Sequence, residues 1–380
     1  MATDELLIER LLRVIDEGRR TATYKLALLL ALIDAVATSP GEAEMPTRVL
    51  AERVLELYYP QTRAYVDRTG AAHDLRQISM KGSEVLAAVT RLRLAAAADG
   101  AHSLHHVRQR LAADYQRTLD AVEDTFVRYP IPLMQVVGGT SVPFLYSVDW
   151  AEGTAATKLR RTGGDKLRLL DGVADRLVVI GPMLRPLIEL HWTRDVARWT
   201  RLPMEDHDLR SHLFGTERTS FPRRLVSELS ELQHGECFYC GDRLTGRGEV
   251  DHFLAWSRWP NDAIENLVLA DRCNGHKSNH LAATEHLVRW RTRVLTAATD
   301  LRSIATTTDW VSDADRTHAL VHTTYSHIVA GTPLWLRGNE FELATGPTLP
   351  EARQLRFAGE PDQSLALEVA SASAYSNSEA

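Results

Sequence analysis

Apolar positions recur three and four apart through most of the first 130 residues, a period that predicts a succession of helices. Leu6, Leu7, Leu11, Val14 and Ile15 form the face of a first helix over residues 5–17, closed by Gly18. Residues 23–37 are apolar on nearly all sides, which predicts a helix deep in a helical core. Ser39-Pro40-Gly41-Glu42 reads as a turn. Pro46 sits where a helix can start, with Val49, Leu50, Val54, Leu55 and Tyr58 as its face. Residues 59–81 read as loop. Residues 85–98 form a further helix ended by Gly100. Ser103 can cap a long helix whose face runs from Leu104 through Val107, Leu111, Tyr115, Leu119 and Val122 to Phe126. A bundle and a helix-turn-helix variant both fit this region.

The pattern changes at Pro130. Residues 132–150 read as two β-like runs around Gly138-Gly139, and residues 167–180 as a hairpin turning at Asp171-Gly172. Between them, residues 151–165 read as a loop holding Lys158, Arg160 and Arg161, with Lys166 and Arg168 just after. This is the densest basic cluster in the chain. A solvated loop and a phosphate-contacting, nucleic-acid-binding surface are both open readings of it. A helix follows over residues 184–199, then another from Ser220 and Pro222 to about Gln233. Residues 284–298 and 309–329 read as helices, residues 334–356 as short strands, and the small polar end as disordered. The expected fold class is α+β, mostly α. It divides into a helical domain (1–130), a mixed α/β connecting or recognition region (131–215), a ββα module (216–300), a C-terminal α/β extension (301–369) and a tail (370–380).

Composition narrows the function. Of 380 residues, 44% are hydrophobic and 25% charged, ordinary for a globular protein with sizeable cores. The formal net charge of −6 excludes a uniformly basic nucleic-acid binder, so any grip on a polyanion must come from local surface. Three cysteines, two of them in one knuckle, argue against a disulfide framework and for thiols available to metal in a reducing compartment. The first ten residues carry early acids and no basic segment, so no signal peptide is expected. The apolar run at residues 26–33 is too short to span a bilayer. A cytoplasmic location without membrane contact is the expectation.

The chemistry concentrates between Cys237 and His280, in CFYCGDRLTGRGEVDHFLAWSRWPNDAIENLVLADRCNGHKSNH. A β-like run after Thr245-Gly-Arg-Gly carries Asp251 and His252, and a helix starting near Asp271 carries Asn274, His276 and Lys277. Strand, strand and helix in so short a span can clamp one metal. A hard divalent cation needs oxygen ligands and open positions. Asp251 offers a carboxylate and Asn274 a side-chain carbonyl. His252 can take a proton from an attacking water, Lys277 can hold a neighbouring phosphate as a point charge, and Asn266 can bond backbone across the loop and hold His252. Asn274 could instead cap the helix. His276 and His280 could reach a metal or a phosphate, or simply lie at the surface. Trp256 and Trp259 read as packing residues.

The ordered series Cys-x-x-Cys, Asp-His, Asn, Cys-Asn, Lys resembles the HNH endonucleases, the ββα-metal nucleases, over roughly residues 220–285. It is similar to the variant in which Asn replaces the final His of the name. The resemblance implies an endonuclease hydrolysing DNA phosphodiesters with Mg²⁺ or Mn²⁺. In it Asp251 and Asn274 are the metal ligands, His252 the general base and Asn266 the middle Asn. It also implies a setting in restriction or anti-phage defence. An RNA-directed nuclease, a subunit active only with a protein partner, and a catalytically silent nucleic-acid-binding protein are the alternatives. Many members carry a second Cys-x-x-Cys to complete a structural zinc site. Here Cys237, Cys240 and Cys273 are present, but Ala270 stands at the fourth position. Asp271 or His276 could complete a zinc site, or the cysteines could pack as small buried residues without one. Ala255, where the family often has Pro, bears on loop stiffness.

Overall fold

The helix Tyr24–Thr38 is the centre of the molecule: every residue from Leu26 to Ala37 is buried. A helix with no polar face is stable only when wrapped on all sides. Here the helices Thr47–Gln61, Val173–Thr200 and Ala314–Ser326 all pack against it. Asp34, on the central helix, is buried and paired with the Arg185 guanidinium. The computed structural model describes residues 2–16, 20–79, 82–101, 103–137, 140–202, 207–215 and 221–348.

Among those residues the fold is α+β and mostly helical. A three-stranded antiparallel sheet and four two-stranded pairs supply the β structure. The first helix spans Ala2–Ile15, and the expected stop at Gly18 lies outside the described residues. Ser83 and Ser103 cap their helices through side-chain bonds to Leu86 N and His106 N. Gly100, at a φ of 72°, closes the helix Glu84–Asp99 in the left-handed conformation that glycine adopts without a steric penalty.

Several expectations are corrected. The long helix after Ser103 is two helices, Leu104–Arg110 and Ala112–Arg128, because Leu111 leaves the helical region at a φ of −119° and a ψ of 44°. The polar stretch 59–81 contains a small hairpin, Tyr65–Val66 with Ala72–His73. The basic stretch read as loop contains the helix Ala156–Thr162, whose Ala156 and Leu159 are buried. The hairpin expected at Asp171-Gly172 does not form. Lys166–Leu169 pairs instead with Glu44–Pro46 and with Tyr146–Ser147. Gly172 opens a 28-residue helix, Val173–Thr200, that runs through Pro182 and Pro186. The turn Gly138-Gly139, the helix-start residue Ser220 and the tail 370–380 lie outside the described residues.

The C-terminal part supports the stretch from Cys237 to His280. Trp259 and Asn261 donate to Thr324 and Thr317 on the helix Ala314–Ser326, both at 2.9 Å. Trp290 and Trp310 donate to the carbonyls of Glu265 and Asp262 at 2.8 and 2.7 Å. Phe253 stacks on Trp290 with ring centroids 5.2 Å apart. The loop between the two strands of the site is thus fixed by indoles from outside it as well as by its own hydrogen bonds through Asn261 and Asn266. No helix among the described residues is long and apolar enough to cross a membrane.

Candidate active site

Glu249–His252 pairs antiparallel with Leu267–Ala270, with Asp251 opposite Val268 and His252 opposite Leu267, and the helix Arg272–Lys277 follows. The local sequence explains the turn before the first strand. Gly248 has a φ of 67°, and a Cβ there would meet Leu244 at 3.1 Å and the Ala270 carbonyl at 3.3 Å. On the outer side, the Gln233 side chain continues the sheet. Its amide nitrogen, Nε2, donates to Leu269 O at 2.9 Å, and its Oε1 accepts from Leu269 N at 2.8 Å.

These elements surround a cleft of about 600 Å³ lined by Glu249, Asp251, His252, Trp256 and Asn274, among others. Asp251 is buried. Its Oδ2 accepts from the Tyr239 hydroxyl at 2.5 Å and pairs with Lys277 Nζ at 3.0 Å. No described residue donates to its Oδ1. The Tyr239 phenol is held well above the usual tyrosine range, first by burial and then by the Asp251 charge, so it stays a donor. Asn274 Nδ2 donates to Glu249 Oε2 at 2.8 Å, which leaves the side-chain oxygen of Asn274 as its unused group.

His252 is buried too. Its Nε2 lies 2.8 Å from Asp262 Oδ1, and its ring sits between those of Phe221 and Trp256, 5.9 and 5.5 Å away by centroid. A carboxylate can only accept, so this contact places the ring hydrogen on Nε2 and leaves Nδ1 with its lone pair. Asn266 is fully buried. It donates to the carbonyls of Leu254 and Asn261 at 3.1 and 3.0 Å and accepts from Leu254 N at 2.9 Å. These bonds fix the chain immediately after His252.

Lys277 departs from the expected role. Its side chain is fully buried, and Nζ is spent on Asp251 and on the His252 carbonyl at 2.9 Å. It holds the two central residues in place and does not present a charge to a phosphate. The basic cluster departs as well. Arg160 is tied to Asp120 and Glu123 at 2.9 and 3.3 Å, and Lys166 and Arg168 to Glu44, so much of this charge is already neutralised. Lys158 and Arg161 are exposed on the helix Ala156–Thr162. His276 and His280 lie at the surface, His280 against the Phe341 ring.

The sulfurs of Cys237, Cys240 and Cys273 lie within 4.8 Å of one another, so the three thiols could hold a metal such as zinc. They are the one such group of His, Cys, Asp and Glu side chains among the described residues. Burial and the neighbouring sulfurs push the Cys273 thiol up to about 12, and burial raises Cys240 as well. Neither proposed fourth ligand joins the cluster. Asp271 instead accepts from the Thr245 hydroxyl at 2.5 Å, a bond that holds its carboxyl below the usual range, and the exposed His276 is not among the clustered groups. Arg289 ties the knuckle to the helix Thr284–Thr296 by donating to Phe238 O at 2.7 Å.

Tyr239, Glu249, Asp262 and Trp256 escaped the sequence reading as site residues. Tyr239 carries one signal, its position inside the knuckle. Asp262 carries none, because its partnership with His252 depends on the folding of the intervening loop.

Residues 4–213 match the family model of a domain of unknown function (DUF8808). The cleft and the thiol cluster lie outside the matched residues. No curated protein and no solved structure matches the chain.

Proposed function

The chain belongs to the DUF8808 family, a domain of unknown function, and from the site and the resemblance of its residue order we propose that it is a metal-dependent endonuclease acting on DNA. The observation that carries the reading is that His252, held by Asp262, lines one cleft together with Asp251 and Asn274. It agrees with the order of residues that resembles the HNH nucleases.

The donor set fits a hard divalent cation such as Mg²⁺ or Mn²⁺. Asp251 has Oδ1 uncommitted, Asn274 has its side-chain oxygen uncommitted, and both line the cleft. Glu249, two residues before Asp251 on the same strand face, adds a further oxygen. A cation held there would stabilise the charge growing on the phosphate and on the departing oxygen.

The chain's own groups do the rest. Asp262 holds His252 in the tautomer with Nδ1 free. His252 takes the proton of the attacking water on that nitrogen, and Asp262 stabilises the imidazolium that results. Lys277 holds the His252 carbonyl and Asn266 holds the backbone of Leu254 just after it. Trp256 and Phe221 shield its ring from bulk water. The thiol cluster, in this reading, holds zinc and stiffens the knuckle that carries Tyr239.

The neutralised basic cluster favours a second reading of the same chemistry, in which a protein partner supplies part of the grip on nucleic acid, DNA or RNA. A restriction or anti-phage setting rests on the resemblance. The test is plasmid cleavage with Mg²⁺, Mn²⁺ or EDTA. Metal-dependent nicking lost in His252→Ala supports the reading, and equal cutting by both proteins overturns it.

A further inference from the structure

A second cavity, of about 480 Å³, adjoins the cleft, and Asn279 lines both. One wall is the loop Ser257, Arg258 and Trp259, a few residues after His252. The facing wall is the long helix Val173–Thr200, through Val178, Val179 and Met183. The cavity therefore lies between the site and a helix of the family-matched region.

Arg258 is the unusual residue in it. Arginines on two helices that line the cavity are paired: Arg185, on Val173–Thr200, with Asp34, and Arg316, on Ala314–Ser326, with Glu56. The Arg258 guanidinium has no ion-pair or hydrogen-bonding partner among the described residues, and its nitrogens are not among the fully enclosed atoms. Burial draws its pKa below the usual guanidinium range, opposed by the Tyr325 hydroxyl. A partly desolvated cation without a counter-charge is costly, and an anion entering the cavity would remove that cost.

We propose that Arg258 and this cavity hold a phosphate-bearing nucleotide of the substrate strand, next to the one being cut. The proposal rests on the nuclease reading of the adjacent cleft. The planar guanidinium fork suits a phosphate. The apolar wall of Val178, Val179 and Met183 suits a sugar or base, and Asn279 gives a continuous path from the cleft. The same chemistry would accept a free nucleotide, so the experiment separates the two sources.

Binding of a labelled single-stranded oligonucleotide to full-length His252→Ala protein is measured across salt concentrations in Mg²⁺ buffer. Adding Arg258→Gln should weaken binding about tenfold and reduce the slope of log affinity against log salt by about one. Arg258→Lys should keep the slope. Met183→Glu places a like charge at the mouth of the cavity on a side chain that is 68% exposed, and should weaken binding without disturbing the core. The proposal is overturned if both Arg258→Gln and Met183→Glu bind as the parent does, or if the parent binds no oligonucleotide at low salt. It is also overturned if Arg258 governs binding of a free deoxynucleoside monophosphate but not of the oligonucleotide. The nuclease reading fails separately, when wild-type protein binds through Arg258 yet leaves DNA uncut.

Discussion

Tyr239, inside the cysteine knuckle, donates its hydroxyl to Asp251 Oδ2 at 2.5 Å. The thiol cluster and the cleft are therefore one mechanical unit, with this bond as the link. Tyr239→Phe removes the donor and little volume. A hydrogen bond to a charged group contributes about 1.5–3 kcal/mol, so urea unfolding should move by an amount in that range. Metal-dependent cleavage should slow while the fold persists. Unchanged stability and unchanged cleavage would remove the link from the account.

Lys277 gives a sharper separation of roles. Its ammonium is fully buried against Asp251. Lys277→Met breaks that pair and leaves a carboxylate with a weakened environment, which costs about 3–5 kcal/mol in such sites. A large loss in the urea midpoint is expected. A lysine that only held a substrate phosphate would instead raise KM and leave stability as it was.

The three thiols predict about one zinc per chain in protein purified without chelator, measured by elemental analysis. Cys237→Ser should lose it. Ala270→Cys restores the spacing of a second Cys-x-x-Cys with Cys273, and should slow zinc release to a competing chelator. Purified wild-type protein without zinc, and without uptake on titration, would leave the cysteines as packing residues.

Glu56 ties the helix Thr47–Gln61 to the helix Ala314–Ser326, accepting from Arg316 and Arg53 at 2.9 Å each. Burial alone would raise its pKa, but these two guanidinium groups outweigh it and hold the carboxyl below its ordinary value. Stability from this group is therefore present above the ordinary glutamate pKa, about 4.3, and is lost as pH falls through the depressed folded value. Glu56→Gln should cost about 1–2 kcal/mol at pH 7, since the side chain is partly exposed. The difference between the two proteins should shrink in urea titrations below pH 4. A constant difference down to pH 3 would contradict the assignment.

The sequence carried most of the helices because their apolar faces repeat over many turns. The face containing Leu119, Val122 and Phe126 is buried as its spacing implies. Short elements were illegible for the same reason. The helix Ala156–Thr162 offers only Ala156 and Leu159 to a core and is held partly by Arg160 reaching Asp120, forty residues away. The strand Lys166–Leu169 depends on pairing with Glu44–Pro46, more than 100 residues earlier, and local pattern cannot reveal such a partner. The structure brings Asp251, His252 and Asn274, singled out by their order along the chain, to one cleft. What each touches is not readable from that order. Lys277 looked like a phosphate contact from its charge, and folding turned it inward. Asp262 offers no local signal, and only folding sets it against His252.

That last pair holds the central claim. Cleavage of plasmid DNA in Mg²⁺ should be compared for wild type, His252→Ala and Asp262→Asn, each checked for folding, with EDTA as the control. The account predicts metal-dependent cleavage that is lost in His252→Ala, by a factor of about 10² or more. In Asp262→Asn it should fall about 10–100-fold, as the imidazole loses the carboxylate that orients it. Wild-type rates in folded His252→Ala protein would contradict the account.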